Sequence, residues 1–206
     1  MARRERASLL CARLALDASA RVRSTSPLDI ARICLIRPEA PLQLDNGSAV
    51  LLLGVNPQWR IHLLRGNVED NLWLRPTFDT PEVNASPREG YILVKVKPTT
   101  PSQPLGVSLV FPEGKPHGPC QDGVVPTFSL SPGAVNYLGD LAYTFENQQL
   151  RYSYSIDTDA ARAFLSAKYP SYVASLTTRP MIPLKVKGGG CNPIIKGVPI
   201  LSPIHH

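Results

Sequence analysis

The sequence predicts a mainly β protein: an antiparallel β-sandwich with one helix towards the C-terminal end, at about residues 158–169. Three observations predict it. Apolar and polar residues alternate at period two through the middle of the chain, the pattern of strands that bury one face. Proline reaches 21 of 206 residues; it lacks an amide donor and breaks helix interiors, so it favours short strands joined by ordered loops. Hydrophobic residues make up 43% of the chain and charged residues 18%, a balance that argues against a disordered chain.

Domains usually run to ~100–150 residues, so one domain with appendages is the natural organisation. The sandwich is placed at residues 45–178. An Arg-rich leader and Pro-containing linker occupy 1–44, and an extended Pro/Gly-rich tail occupies 179–206. No internal repeat is found.

The elements follow in order. Residues 7–20 can form one helix with Leu9, Leu10, Leu14 and Leu16 on one side. Ala49 to Val55 is a continuous apolar run of strand length, ended by Pro57. Gln58 to Leu64 alternates, with Trp59, Ile61 and Leu63 on one face and Arg60 and His62 on the other. Leu72 to Leu74 is a short strand, and the three prolines within 76–89 mark a loop. Tyr91 to Lys97 alternates again, and Leu105 to Phe111 is a further strand before a turn-rich loop. Val125 to Leu130 and Ala134 to Leu138 flank the turn signal Ser131-Pro132-Gly133. Leu141 to Glu146 and Leu150 to Ser155 make a hairpin: Leu141, Tyr143 and Phe145 share one face, and Leu150, Tyr152 and Tyr154 share another. About eight short strands at this spacing point to a sandwich or barrel rather than a βαβ fold. Asp157, Thr158 or Asp159 can cap the helix, Ala161, Phe164 and Leu165 give it an apolar face, and Pro170 stops it. That face is expected to cover a sheet edge or one end of the sandwich.

Charge restricts the partners. The net charge is +6, but residues 1–40 carry eight Arg against four acids, leaving fourteen basic and twelve acidic residues in the rest. A nucleic-acid binder concentrates Lys and Arg on its folded domain; this body is close to neutral, which argues against nucleic acid. No stretch approaches the ~20 apolar residues of a membrane-spanning helix.

Catalytic, metal and cofactor signatures are missing. None of the four cysteines, Cys11, Cys34, Cys120 and Cys191, stands in a CxxC pair. Cys120 and Cys191 lie in loop contexts (GPCQDG and GGGCNP). Paired, they would pin the tail to the body in an oxidising compartment; unpaired, they are two separate thiols. His62 is expected to be exposed on the polar face of its strand. His117 lacks an HxH or HExxH companion, and His205 and His206 end the chain. Asp157 and Asp159 lack the rest of a calcium loop. Glu69-Asp70 reads as solvated acids. Gly188-Gly189-Gly190 lacks the order of a phosphate-binding loop, and no G-x-S-x-G elbow occurs. Asn46-Gly-Ser and Asn84-Ala-Ser match a glycosylation sequon. Trp59, Tyr143, Tyr152 and Tyr154 can line a ligand groove, against the alternative that they and Trp73, Tyr137 and Phe145 simply pack the core.

The run AVNYLGDL, a strand hairpin and DTDAARAFLSAKYPSYVASL, preceded by YILVKVKP, resemble uncharacterised proteobacterial envelope proteins and lipoproteins built as small β-sandwiches. The resemblance spans residues 48–178. It implies export to the periplasm or cell envelope and a non-enzymatic sandwich, without naming a ligand. The chain departs from the lipoprotein pattern at Cys11, where Leu10 stands in place of a small residue.

Three functions are expected from this reading. The first is an envelope-associated protein with a binding or structural role, its partner an envelope component or another protein. The second is an enzyme, hydrolase-like, using His117 with loop carboxylates. The third is a binder of anionic surfaces through the Arg-rich N-terminus.

Overall fold

The computed structural model describes residues 44–45, 47–76, 80–120, 122–146 and 149–187. The predicted helix at 7–20, Asn46, Cys11, Cys34, Cys191, the Gly188–Gly190 run and the two terminal histidines lie outside the described residues.

The protein is mainly β, as the alternation predicts, with two mixed sheets, one of them curled into a half-barrel, and one helix near the C-terminal end. The first sheet runs β10 (Gln149–Ser155), β9 (Val135–Glu146), β1 (Ala49–Asn56), β6 (Tyr91–Val96), with β11 (Leu176–Thr178) also on β9. The second runs β3 (Asn67–Glu69), β4 (Leu72–Leu74), β12 (Ile182–Lys187), β8 (Val124–Phe128), β7 (Leu105–Phe111), β2 (Arg60–Arg65), β5 (Val83–Ala85). The pairing is not wholly antiparallel: β1 and β11 each run parallel to β9, and β12 runs parallel to β4. Period two reports which face of a strand is buried and says nothing of which way its neighbour runs.

Burial explains the texture of β1. Leu51 and Leu53 face the second sheet, while Val50 and Leu52 face outward under the helix α1 (Thr158–Lys168). A strand buried on both faces reads as a continuous apolar run instead of alternating. The helix therefore covers a sheet face and not an edge or an end: its Ala161 and Leu165 pack with Val50, Leu52, Leu93 and Tyr137. Asp157 caps it, its carboxylate accepting from the Ala160 N–H at 2.9 Å, so this acid serves the helix terminus.

Four strands were not read from the sequence: β3, β5, β11 and β12. Residues 182–187, read as tail, form β12 between β4 and β8, with Val186 fully buried. The two strands expected at 134–138 and 141–146 are one strand, β9, because Gly139 takes a φ of +87° and lets the chain bend and continue.

Candidate functional site

The first sheet meets the second at the side where β9 and β10 face β7 and β8. β7 contributes Val107 and Val110, and β8 contributes Val124, Val125 and Pro126. The opposite wall is Tyr143 on β9 with Leu150 and Tyr152 on β10. The loop after β7 closes one end with His117 and Pro119. It turns back because Pro112–Gly114 form a 3-10 turn, and two backbone bonds between Val110 and His117, 2.7 and 2.8 Å, fix the return. The His117 ring then lies edge-on to Phe145, centroids 4.9 Å apart. Together these residues form an apolar cleft of about 40 Å³.

Its polar atoms are unusual. Tyr143 and Tyr152 are paired directly across β9 and β10, ring centroids 6.2 Å apart, and are 5% and 8% exposed. Among the described residues the hydroxyls of both are buried without a hydrogen-bond partner, and so is Nδ1 of His117. A buried polar atom left unsatisfied costs about 1–3 kcal/mol, and three of the residues lining this cleft carry one. Burial raises the pKa of both tyrosines, that of Tyr152 to about 12. Both hydroxyls therefore keep their protons at neutral pH and can donate. Among the described residues no acidic, Lys or Arg side chain lines the cleft. It is a small, uncharged and mostly apolar space.

Of the four groove residues predicted from sequence, Tyr143 and Tyr152 line this cleft. Trp59 packs behind them, its ring centroid 6.4 Å from that of Tyr143. Tyr154 is turned to other work, its hydroxyl accepting from the Met181 N–H at 3.0 Å. The valines of β7 and β8 were missed as cleft residues; their strands are legible, but no local signal places them opposite β10. His62 is half-buried rather than exposed, packed on Phe111 with centroids 4.6 Å apart. Burial, and then the Arg60 charge, hold its imidazole below its ordinary pKa.

A larger recess of about 680 Å³ is lined by Arg65, Asn67, Arg75, Glu82 and Gln103. One of its two arginines is already paired, since Arg65 donates to both carboxylate oxygens of Glu82 at 2.5 and 3.0 Å. Pro76 and Thr80 also line it, and residues 77–79 lie outside those described. Among the described residues no group of three or more His, Cys, Asp or Glu is placed to hold a metal ion, and no helix is long and apolar enough to cross a membrane. Cys120 is not a free thiol.

Fold and cleft together define a two-sheet β protein with a small neutral recess between its sheets. No protein-family model matches the chain, and neither a curated protein nor a solved structure is significantly similar to it.

Proposed function

We propose that this protein is an envelope-associated β-sandwich that binds a ligand without transforming it, and that the cleft at Tyr143, Tyr152 and His117 is where it binds. The observation that carries the reading is the set of three buried, unpartnered polar atoms around one apolar recess. Binding sites combine apolar walls with a few placed polar groups, and this cleft has that composition at small scale. The likeness of residues 48–178 to envelope sandwiches supports the location.

Titration of the labelled protein with a panel of small neutral organic compounds tests the binding role by nuclear magnetic resonance. Saturable shifts confined to the rings of Tyr143, Tyr152 and His117 are expected; a panel that moves none of them removes the reading. Fractionation of the native host tests the location, and a protein found wholly in the cytosol would count against it.

Pairing of Cys120 with Cys191 belongs to the same proposal. Asp122 and Gly123 exchange backbone bonds of 3.0 and 2.8 Å with Val186. Cys120 thus lies two residues from a point bonded to β12, and Cys191 lies four residues beyond Lys187 in the sequence. Intact mass after thiol alkylation, with and without reduction, reports the bond.

The hydrolase alternative rests on His117. It lines the cleft, but no carboxylate lines the cleft with it among the described residues, and a histidine base ordinarily needs such a partner to orient it. The Arg-rich segment that would contact anionic surfaces lies outside the described residues.

A further inference from the structure

We propose a second site, in the recess lined by Arg65, Arg75 and Glu82, that takes a small organic molecule carrying a single carboxylate, with Arg75 as the residue that holds it. The recess is about 680 Å³, within the ~300–1,000 Å³ of small-molecule sites. It shares no lining residue with the cleft between the sheets, so it stands or falls separately from the function proposed above. The backbone that carries Arg75 is held in place: Leu74, the residue before it, is paired with Lys187 of β12 on one side and with Asn67 of β3 on the other.

The charges of the recess do not balance. Arg65 is fully engaged: besides its two bonds to Glu82, it donates to the Pro98 carbonyl at 3.0 Å and to the Lys97 carbonyl at 3.3 Å. Asn67 and Gln103 are joined to each other, the Gln103 amide donating to the Asn67 carbonyl oxygen at 3.1 Å. Arg75 differs. It is half-buried, and among the described residues no ion pair or hydrogen bond engages its guanidinium. Burial lowers its pKa with no neighbouring charge to offset the effect. Arginine nevertheless stays protonated in proteins, so the desolvated charge persists, and charges taken from water are ordinarily paired. Two arginines against one glutamate leave a surplus of one positive charge, which one carboxylate balances. The planar guanidinium matches a carboxylate in two parallel hydrogen bonds. A phosphate monoester, carrying nearly two charges, would bring excess negative charge beside Glu82. A neutral molecule would leave Arg75 unpaired.

The test titrates the full-length protein at pH 8 and constant ionic strength with carboxylates of graded size, acetate, benzoate and 2-naphthoate, each beside its uncharged primary amide. The Arg75 Nε–H signal and the side-chain amides of Asn67 and Gln103 are followed by nuclear magnetic resonance. At least one carboxylate is expected to bind saturably and roughly tenfold or more tightly than its amide, the gain of a charge-assisted bond over a neutral one. Phenyl phosphate should bind more weakly than benzoate. Arg75→Gln should abolish the preference for carboxylate over amide and leave the unfolding midpoint unchanged or raised, since it removes a half-desolvated charge. Arg75→Lys keeps the charge without the fork and should retain part of the preference. Should Arg75→Gln fail to fold, the parent protein's Arg75 Nε–H signal reports the same contact, moving with the carboxylate and not with the amide. Absence of saturable binding by all three carboxylates, or a preference that survives in Arg75→Gln, overturns the site. Tighter binding of phenyl phosphate than of benzoate overturns the carboxylate assignment. Shifts at Tyr143 and Tyr152 with none at Arg75 would put the anion in the other cleft and equally overturn the proposal.

Discussion

Trp73 is fully buried and lies across two glycines. A Cβ on Gly106 would stand 2.6 Å from the indole Cζ2, and one on Gly66 would stand 2.1 Å from Nε1. Glycine at these positions is what lets the indole lie flat on the backbone. Gly106→Ala is expected to lower stability by about 1–3 kcal/mol through overpacking, read as a lower denaturant midpoint with an unchanged slope. Asp140 carries the second prediction at this scale. Its carboxylate accepts from the Tyr137 hydroxyl, which in turn accepts from the Asp157 N–H at 3.0 Å. Burial raises its pKa, although the bond from Tyr137 opposes the shift. The folded protein therefore holds this proton more tightly than the unfolded chain does. The resulting stability is full below the ordinary carboxylate pKa of ~3.9 and is lost as pH rises through the higher folded value. Asp140→Asn keeps an acceptor for Tyr137 and removes the titration. Its midpoint should vary less with pH in that window, and at neutral pH it should be at least as stable as the parent; a variant clearly weaker at neutral pH would show that the charge stabilises.

At the scale of elements, α1 depends on its cap and on the face it covers. Asp157→Ala removes the bond to the Ala160 N–H, and a lost cap costs about 0.5–2 kcal/mol. Lys168, near the other end of the helix, pairs with Glu89 at 2.8 Å, but the two side chains are 45% and 62% exposed. Solvent screens such a pair to below about 1 kcal/mol. Chemical denaturation of Asp157→Ala and Lys168→Ala should therefore rank the cap variant as the weaker protein, and the reverse order would mean that the ion pair anchors the helix. The helix itself was legible because its cap, its i, i+3, i+4 face and its stop are all local. Its seat was not, since the same amphipathic face suits an edge, an end or a sheet face. The continuous apolar run of β1, buried on both sides, is the sequence trace of that seat.

For the molecule as a whole, β12 is decisive. It fills the space between β4 and β8, pairing through Lys185–Lys187 on one side and Ile182–Lys185 on the other. A chain ended after Thr178 would leave the facing backbone groups of β4 and β8 unpaired and expose Trp73, which β12 helps to cover with Val186. Such a chain is expected to lose cooperative unfolding and dispersed amide resonances, while one ended after Lys187 keeps both. If the shorter chain unfolds with the same midpoint, β12 is an accessory strand.

By itself the sequence determined the strand-rich class, the faces of the alternating strands, the helix with its cap and stop, and two of the tyrosines that line the cleft. These rest on interactions within a few residues, or on a period that one strand carries alone. Tertiary structure decided the rest: the parallel pairing of β1 with β9, the admission of the Pro-containing segment 182–187 to a sheet, and the meeting of β7, β8 and the His117 loop with β10. Each of those depends on contacts between segments far apart in the chain, where the free energy lies in shared buried area and paired backbone groups that neither segment displays alone.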